Sequence, residues 1–129
     1  MSELIPISKP SITQKEIRYV TDAVTSGWVS SLGEYITKFE ENFAKYCNTE
    51  YAVSTSSGTT ALHLALVSLG IKPGDEVIIP DLTFVATANA VKYIGARVIV
   101  VDIEKESLTI NPKELKNAIT PLTKAIIPV

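Results

Sequence analysis

The segment Ser54-Thr55-Ser56-Ser57-Gly58-Thr59-Thr60-Ala61-Leu62 carries the clearest chemistry in the chain. A strand-like stretch runs into a small, hydroxyl-rich turn with one glycine, and a helix-forming sequence follows at once. The first N–H groups of a helix have no intrahelical partners, and the aligned peptide dipoles add partial positive charge there. Gly58 lets an anion approach the backbone, while Ser57, Thr59 and Thr60 add hydroxyl donors. A dianionic phosphate suits such a turn. Serine and threonine are also ordinary helix caps, so the residues alone leave open a turn that binds nothing. The pattern is not a P-loop, because the lysine of that motif is missing, and it is not G-x-G-x-x-G.

A second segment, Pro80-Asp81-Leu82-Thr83-Phe84-Val85-Ala86-Thr87-Ala88-Asn89-Ala90, also follows a strand-like run. It should therefore open on the same sheet edge as the phosphate turn. Phe84 there can stack on a flat ligand, or it can be the first core residue of its helix. His63 stands alone, with no second histidine, cysteine or carboxylate at metal-ligand spacing, and reads as a surface or interface residue. No metal is expected.

These segments must be held by regular elements. Residues 1–10 read as an extended arm, since Pro6 and Pro10 bias the residues before them away from helix. Ile12, Ile17, Val20 and Val24 recur at roughly helical spacing, with Ser11 or Thr13 as cap and Gly27 as stop. Gly27 to Gly33 reads as a loop, and Glu34 to Tyr46 as a second helix with Ile36, Phe39, Phe43 and Tyr46 along one stripe. The rhythm then alternates. Strands are expected at 51–55, 77–79, 97–101 and 125–129, and helices at 59–69, 84–93 and from Asn111-Pro112 to about 119. Such alternation argues for an α/β fold with a mainly parallel sheet and flanking helices. The expected organisation is an arm with two helices over 1–50 and an α/β unit over 51–129. The apolar stop at Ile126-Ile127-Pro128-Val129 reads as a strand cut where a loop should begin, so a fragment is expected.

Bulk properties narrow the classes of function. The chain has 129 residues, enough for one domain with a core, and is 46% hydrophobic and 20% charged. Twelve basic and fourteen acidic residues leave a net charge of -2, with no basic cluster to attract nucleic acid or an anionic membrane. Cys47 is the one cysteine, so no intrachain disulfide can form. The N-terminus lacks the pattern of a signal peptide, and the apolar runs are too short to cross a bilayer. A cytoplasmic setting is the default expectation.

Taken in order, several segments resemble the DegT/DnrJ/EryC1/StrS family of sugar aminotransferases, enzymes of fold type I that use pyridoxal 5'-phosphate (PLP). They are Ile5-Pro6-Ile7-Ser8-Lys9-Pro10, Ser26-Gly27-Trp28-Val29-Ser30-Ser31, Phe39-Glu40, Ser56 to His63, Gly74 to Ile78, Thr83 to Ala88 and Thr123 to Val129. The resemblance implies that residues 51–129 are part of the PLP-binding large domain. It implies that Ser57, Gly58, Thr59 and Thr60 hold the PLP phosphate, with the N–H groups of Thr59 and Thr60 as donors, and that Phe84 lies against the pyridine ring. Trp28 and Ser30 match a segment at the active-site mouth and become candidates for contacts to a nucleotide sugar. The family's Schiff-base lysine and the aspartate facing the ring nitrogen lie downstream. None of the ten lysines here matches the lysine, Asp102 does not match the aspartate, and no catalytic residue is assigned. The implied reaction moves an amino group from glutamate to a nucleotide-linked keto-sugar, in a homodimer. The opening segments look most like members that aminate GDP-4-keto-6-deoxymannose at C4. Two alternatives stand beside this reading. One is a related sugar enzyme, such as a dehydratase with histidine in place of the lysine. The other is a truncated protein that only dimerises or binds a partner.

Overall fold

The computed structural model describes residues 5, 6 and 8–129. Ile7 and residues 1–4 of the expected arm lie outside the described residues. The chain divides into two compact units, Met1–Ser54 and Thr55–Val129.

The first unit contains two helices, each started and stopped by local chemistry. Helix α1 spans Gln14–Thr25 and begins with a capping box, in which Thr13 accepts the Lys15 N–H and the Glu16 carboxylate accepts the Thr13 N–H at 2.7 Å. The Thr13 hydroxyl, and then its N–H, hold the Glu16 carboxyl below its ordinary range. At the other end Gly27 takes a left-handed φ of 80°, and the Trp28 N–H reaches back to the Ala23 carbonyl at 3.1 Å. This is the closing bond pattern that a glycine just past a helix permits. Helix α2 spans Glu34–Cys47. Tyr35 donates to Asp22 at 2.7 Å, which together with the nearby negative charge pushes its hydroxyl pKa up to about 12. The Tyr19 and Tyr35 rings lie 5.5 Å apart. Glu40 of α2 accepts both the N–H and the hydroxyl of Ser54, each at 2.8 Å.

In the second unit three parallel strands form a sheet in the order β2-β1-β3: β1 Glu76–Pro80, β2 Arg97–Val101 and β3 Thr123–Ile126. Central β1 is buried along its whole length, which is why, after Glu76, its residues Val77 to Pro80 are continuously apolar rather than alternating. Helices α3 (Gly58–Ser68) and α4 (Ala86–Tyr93) contribute Leu66, Ala90 and Val91 to one core cluster with Ile71, Val77, Ile79 and Ala96. Helix α3 ends as α1 does: Gly70 is left-handed and the Ile71 N–H bonds the Leu66 carbonyl at 3.1 Å, bringing two core residues together. Helix α5 covers Pro112–Ala118, with Asn111 as its cap and Pro112 in its first turn. At the start of β1 the buried Glu76 carboxylate pairs with Arg97 at 3.1 Å and accepts the Thr120 hydroxyl at 2.6 Å.

Three expectations need correction. Residues 51–55 form no strand. Among the described residues no neighbouring strand offers this stretch a ladder, and without one an extended segment is not a sheet member. The helix expected from Phe84 starts at Ala86, because Phe84 and Val85 form the turn that leads into it. The last strand runs over Thr123–Ile126 instead of 125–129. Its pairing reaches Ile127, whose N–H bonds the Ile78 carbonyl at 2.9 Å, and then meets Pro128, which has no N–H.

Candidate functional site

The turn before α3 is built as a reciprocal cap. Ser57 has extended backbone and caps the helix; its N–H donates to the Thr60 hydroxyl at 3.0 Å, and its hydroxyl accepts the Thr60 N–H at 3.3 Å. The Thr60 hydroxyl also donates to the Ser57 carbonyl at 2.7 Å. Both polar groups of Thr60 are therefore engaged within the turn. Among the described residues the N–H groups of Gly58 and Thr59 have no hydrogen-bond partner. A Cβ placed on Gly58 would meet nothing within 4 Å. The turn presents two free donors beside open space, at the positive end of an eleven-residue helix.

An open cavity of 690 Å³ lies against this turn, lined by Ser57, Gly58, Thr59, Ala61 and Leu62 on one side and by Phe84, Ala86 and Thr87 on the other. None of these side chains is charged, so backbone N–H groups and the helix dipole supply what positive potential the walls have. Phe84 stands outside the helix and is 78% exposed. Its reading as the first core residue of α4 is thereby set aside. Helices α3 and α4 pack against each other, and the His63 ring meets the Tyr93 ring edge-on at 5.9 Å between them.

The structure thus brings Ser57, Gly58, Thr59 and Phe84 to one cavity and sets Thr60 behind the turn as its brace. Trp28 and Ser30 lie in the first unit, both exposed, in the loop after α1. Trp28 packs over Gly33, where an added Cβ would stand 3.2 Å from the Trp28 Cβ. Asp102 is exposed at the end of β2 and caps the Ile103 N–H at 2.8 Å. Thr87 is a wall residue that sequence reasoning passed over; a threonine four residues from Thr83, on the inner face of a helix, was the available signal. A second cleft of 490 Å³, lined by Tyr19, Tyr35, Lys38, Phe39 and Asn42, has one cation. That cation, Lys38, is already paired with Glu34, so the cleft is a poorer anion site. Among the described residues no helix is long and apolar enough to cross a membrane.

Residues 10–129 match the DegT/DnrJ/EryC1/StrS aminotransferase family. GDP-perosamine synthase of Caulobacter vibrioides is 46% identical over all of this chain and 35% of its own length. GDP-perosamine synthase of Escherichia coli O157:H7 is 49% identical over 95% of this chain and 34% of its own. A Streptococcus pneumoniae protein described as a sugar aminotransferase, solved in its PMP-form, superposes with a TM-score of 0.88 at 39% identity, over 96% of this chain and 31% of its own. The chain therefore spans about a third of the length of the relatives it matches.

Proposed function

Because this chain belongs to the DegT/DnrJ/EryC1/StrS aminotransferase family, we propose that it is the N-terminal portion of a PLP-dependent aminotransferase that moves an amino group from glutamate to a nucleotide-linked keto-sugar. The sugar we propose is GDP-4-keto-6-deoxymannose and the product GDP-perosamine, a reading supported by relatives of that name at 46% and 49% identity. The observation that carries the proposal is the cavity shared by the free N–H groups of the α3 turn and the exposed ring of Phe84.

The residues present fit PLP. A phosphate needs donors without partners and space beside them, which Gly58 and Thr59 provide. A pyridine ring needs a flat apolar wall, which Phe84 provides. In this reading Ser57, Gly58 and Thr59 hold the phosphate, Thr60 braces the turn or turns its N–H to the anion, and Phe84 orients the ring. When bound, PLP supplies the carbonyl that takes up the amino group and the ring that delocalises the electron pair released at the donor carbon. No lysine lines the cavity, so the proton-transferring lysine is proposed to come from the remainder of the protein. Trp28 and Ser30 are proposed to meet the nucleotide sugar. A homodimer and a cytoplasmic setting belong to the same proposal.

The test is direct. The complete protein, incubated with PLP, should develop a visible absorbance band that borohydride quenches. With glutamate and GDP-4-keto-6-deoxymannose it should form a product whose mass matches the 4-amino sugar. Absence of the band overturns the PLP reading. A band with a dehydrated sugar as the product overturns the aminotransferase reading alone.

A further inference from the structure

The segment that carries Phe84 enters its helix without an ordinary cap. Val85, at the cap position of α4, is itself right-handed and has no side chain that can accept the first N–H groups. In place of a cap, the hydroxyls of Thr83 and Thr87 lie 2.8 Å apart, with Phe84 between them in sequence. The Thr87 N–H donates to the Phe84 carbonyl at 3.0 Å, and the Thr83 hydroxyl lies 3.4 Å from that same oxygen. A threonine within a helix commonly donates to the carbonyl four residues back. Thr87 meets the hydroxyl of that residue instead. Thr87 is only 4% exposed and Thr83 is half-buried, so water has restricted access to the bridge.

The bridge closes a loop of five residues, and the backbone bond closes a tighter one inside it. Phe84 sits within both, yet its ring projects into the cavity without core contacts to hold it. The direction in which the ring leaves the chain, and the χ1 rotamers open to it, are then set by its backbone. We infer that the Thr83–Thr87 hydroxyl bridge positions Phe84 for the ligand of this cavity, which makes both threonines positioning residues for the cofactor ring. The inference rests on the proposed role of Phe84 and assigns neither threonine a contact of its own with the cofactor.

The test uses the full-length protein with Thr87→Val, which removes the hydroxyl at nearly constant shape, and Thr87→Ser, which keeps it. Without cofactor, hydrogen exchange in peptides covering residues 81–90 should quicken about fivefold in Thr87→Val, the effect of one net hydrogen bond. It should stay near wild type in Thr87→Ser, and peptides from α3 should not change. Equal exchange in all three proteins overturns the inference, as does acceleration throughout the chain. With cofactor, Thr87→Val should weaken PLP retention several-fold and add nothing in a Phe84→Ala background. Additive losses overturn the inference, because Thr87 would then act by a route of its own. If Phe84→Ala retains PLP like the wild type, the platform role proposed above fails, and the cofactor half of this inference fails with it. The exchange experiment then still decides whether the bridge holds the loop.

Discussion

Gly58→Ala separates the folding role of the turn before α3 from its binding role. Gly58 is the first residue of the helix and is not among the glycines with left-handed backbone. An alanine there is unstrained, and its Cβ meets no atom within 4 Å. Alanine is the better helix former and narrows the unfolded ensemble, so stability should be unchanged or rise by up to about 1 kcal/mol. The same methyl would occupy the space through which an anion reaches the N–H groups of Gly58 and Thr59. A hydrogen bond to a charged group contributes about 1.5–3 kcal/mol, so displacing the phosphate from one N–H should weaken PLP retention about 10- to 150-fold. Equilibrium dialysis of PLP measures the second effect, and a thermal melt without cofactor measures the first. Wild-type retention in Gly58→Ala would show that no anion rests on this turn. A cofactor-free melt clearly below wild type would show that the backbone at Gly58 is not the relaxed helix start described above.

Other outcomes can be checked independently. Glu76→Ala removes the acceptor of the Thr120 hydroxyl, a charge-assisted bond between groups 44 residues apart, and should cost about 2 kcal/mol in urea unfolding. The paired Arg97 is 63% exposed and adds little to that figure; a loss below about 0.5 kcal/mol would mean that the buried carboxylate does not hold β1 to the segment before β3. The backbone N–H and then the hydroxyl of Ser54 hold the Glu40 carboxyl below its ordinary value of 4.5. Its contribution to stability is full above that pH and is withdrawn as the pH falls through the lowered value. Glu40→Gln should therefore flatten the acid limb of the stability curve of the first unit below pH 4.5, and an unchanged limb would refute the clamp. Trp28→Ala should raise KM for the nucleotide sugar and leave PLP retention unaltered. A loss of PLP with KM unchanged would remove Trp28 from the sugar site.

Much of the secondary structure was legible because its signals are local. Thr13 with Glu16, Ser57 with Thr60, and Asn111 with Pro112 mark helix starts through bonds within three residues, and Gly27, Gly70 and Gly95 mark ends through their own φ. Strand β2 coincides with its expected span, and β1 contains its own, since Val98 to Val101 and Val77 to Ile79 are continuous runs of β-branched residues, the second of them buried on both faces. The segment 51–55 misled for the complementary reason. Its β-favouring residues describe a strand, but membership of a sheet depends on a neighbour that no short stretch can specify.

The sequence by itself determined that a hydroxyl-rich helix start and an aromatic turn each follow an apolar run, and that both can serve a phosphorylated flat ligand. It left each with an ordinary structural alternative, because a cap and an anion site use the same residues and a turn phenylalanine can point either way. For Phe84 the tertiary structure removed the core alternative. Packing α3 against α4 over β1 brings residues 57–59 and 84–87 to one cavity and leaves the Phe84 ring outside the core. The Thr60 brace and the free N–H groups of Gly58 and Thr59, by contrast, come from bonds within the turn itself. The shared cavity depends on contacts between segments about 25 residues apart, where the packing of whole helices, rather than local propensity, sets which groups face each other.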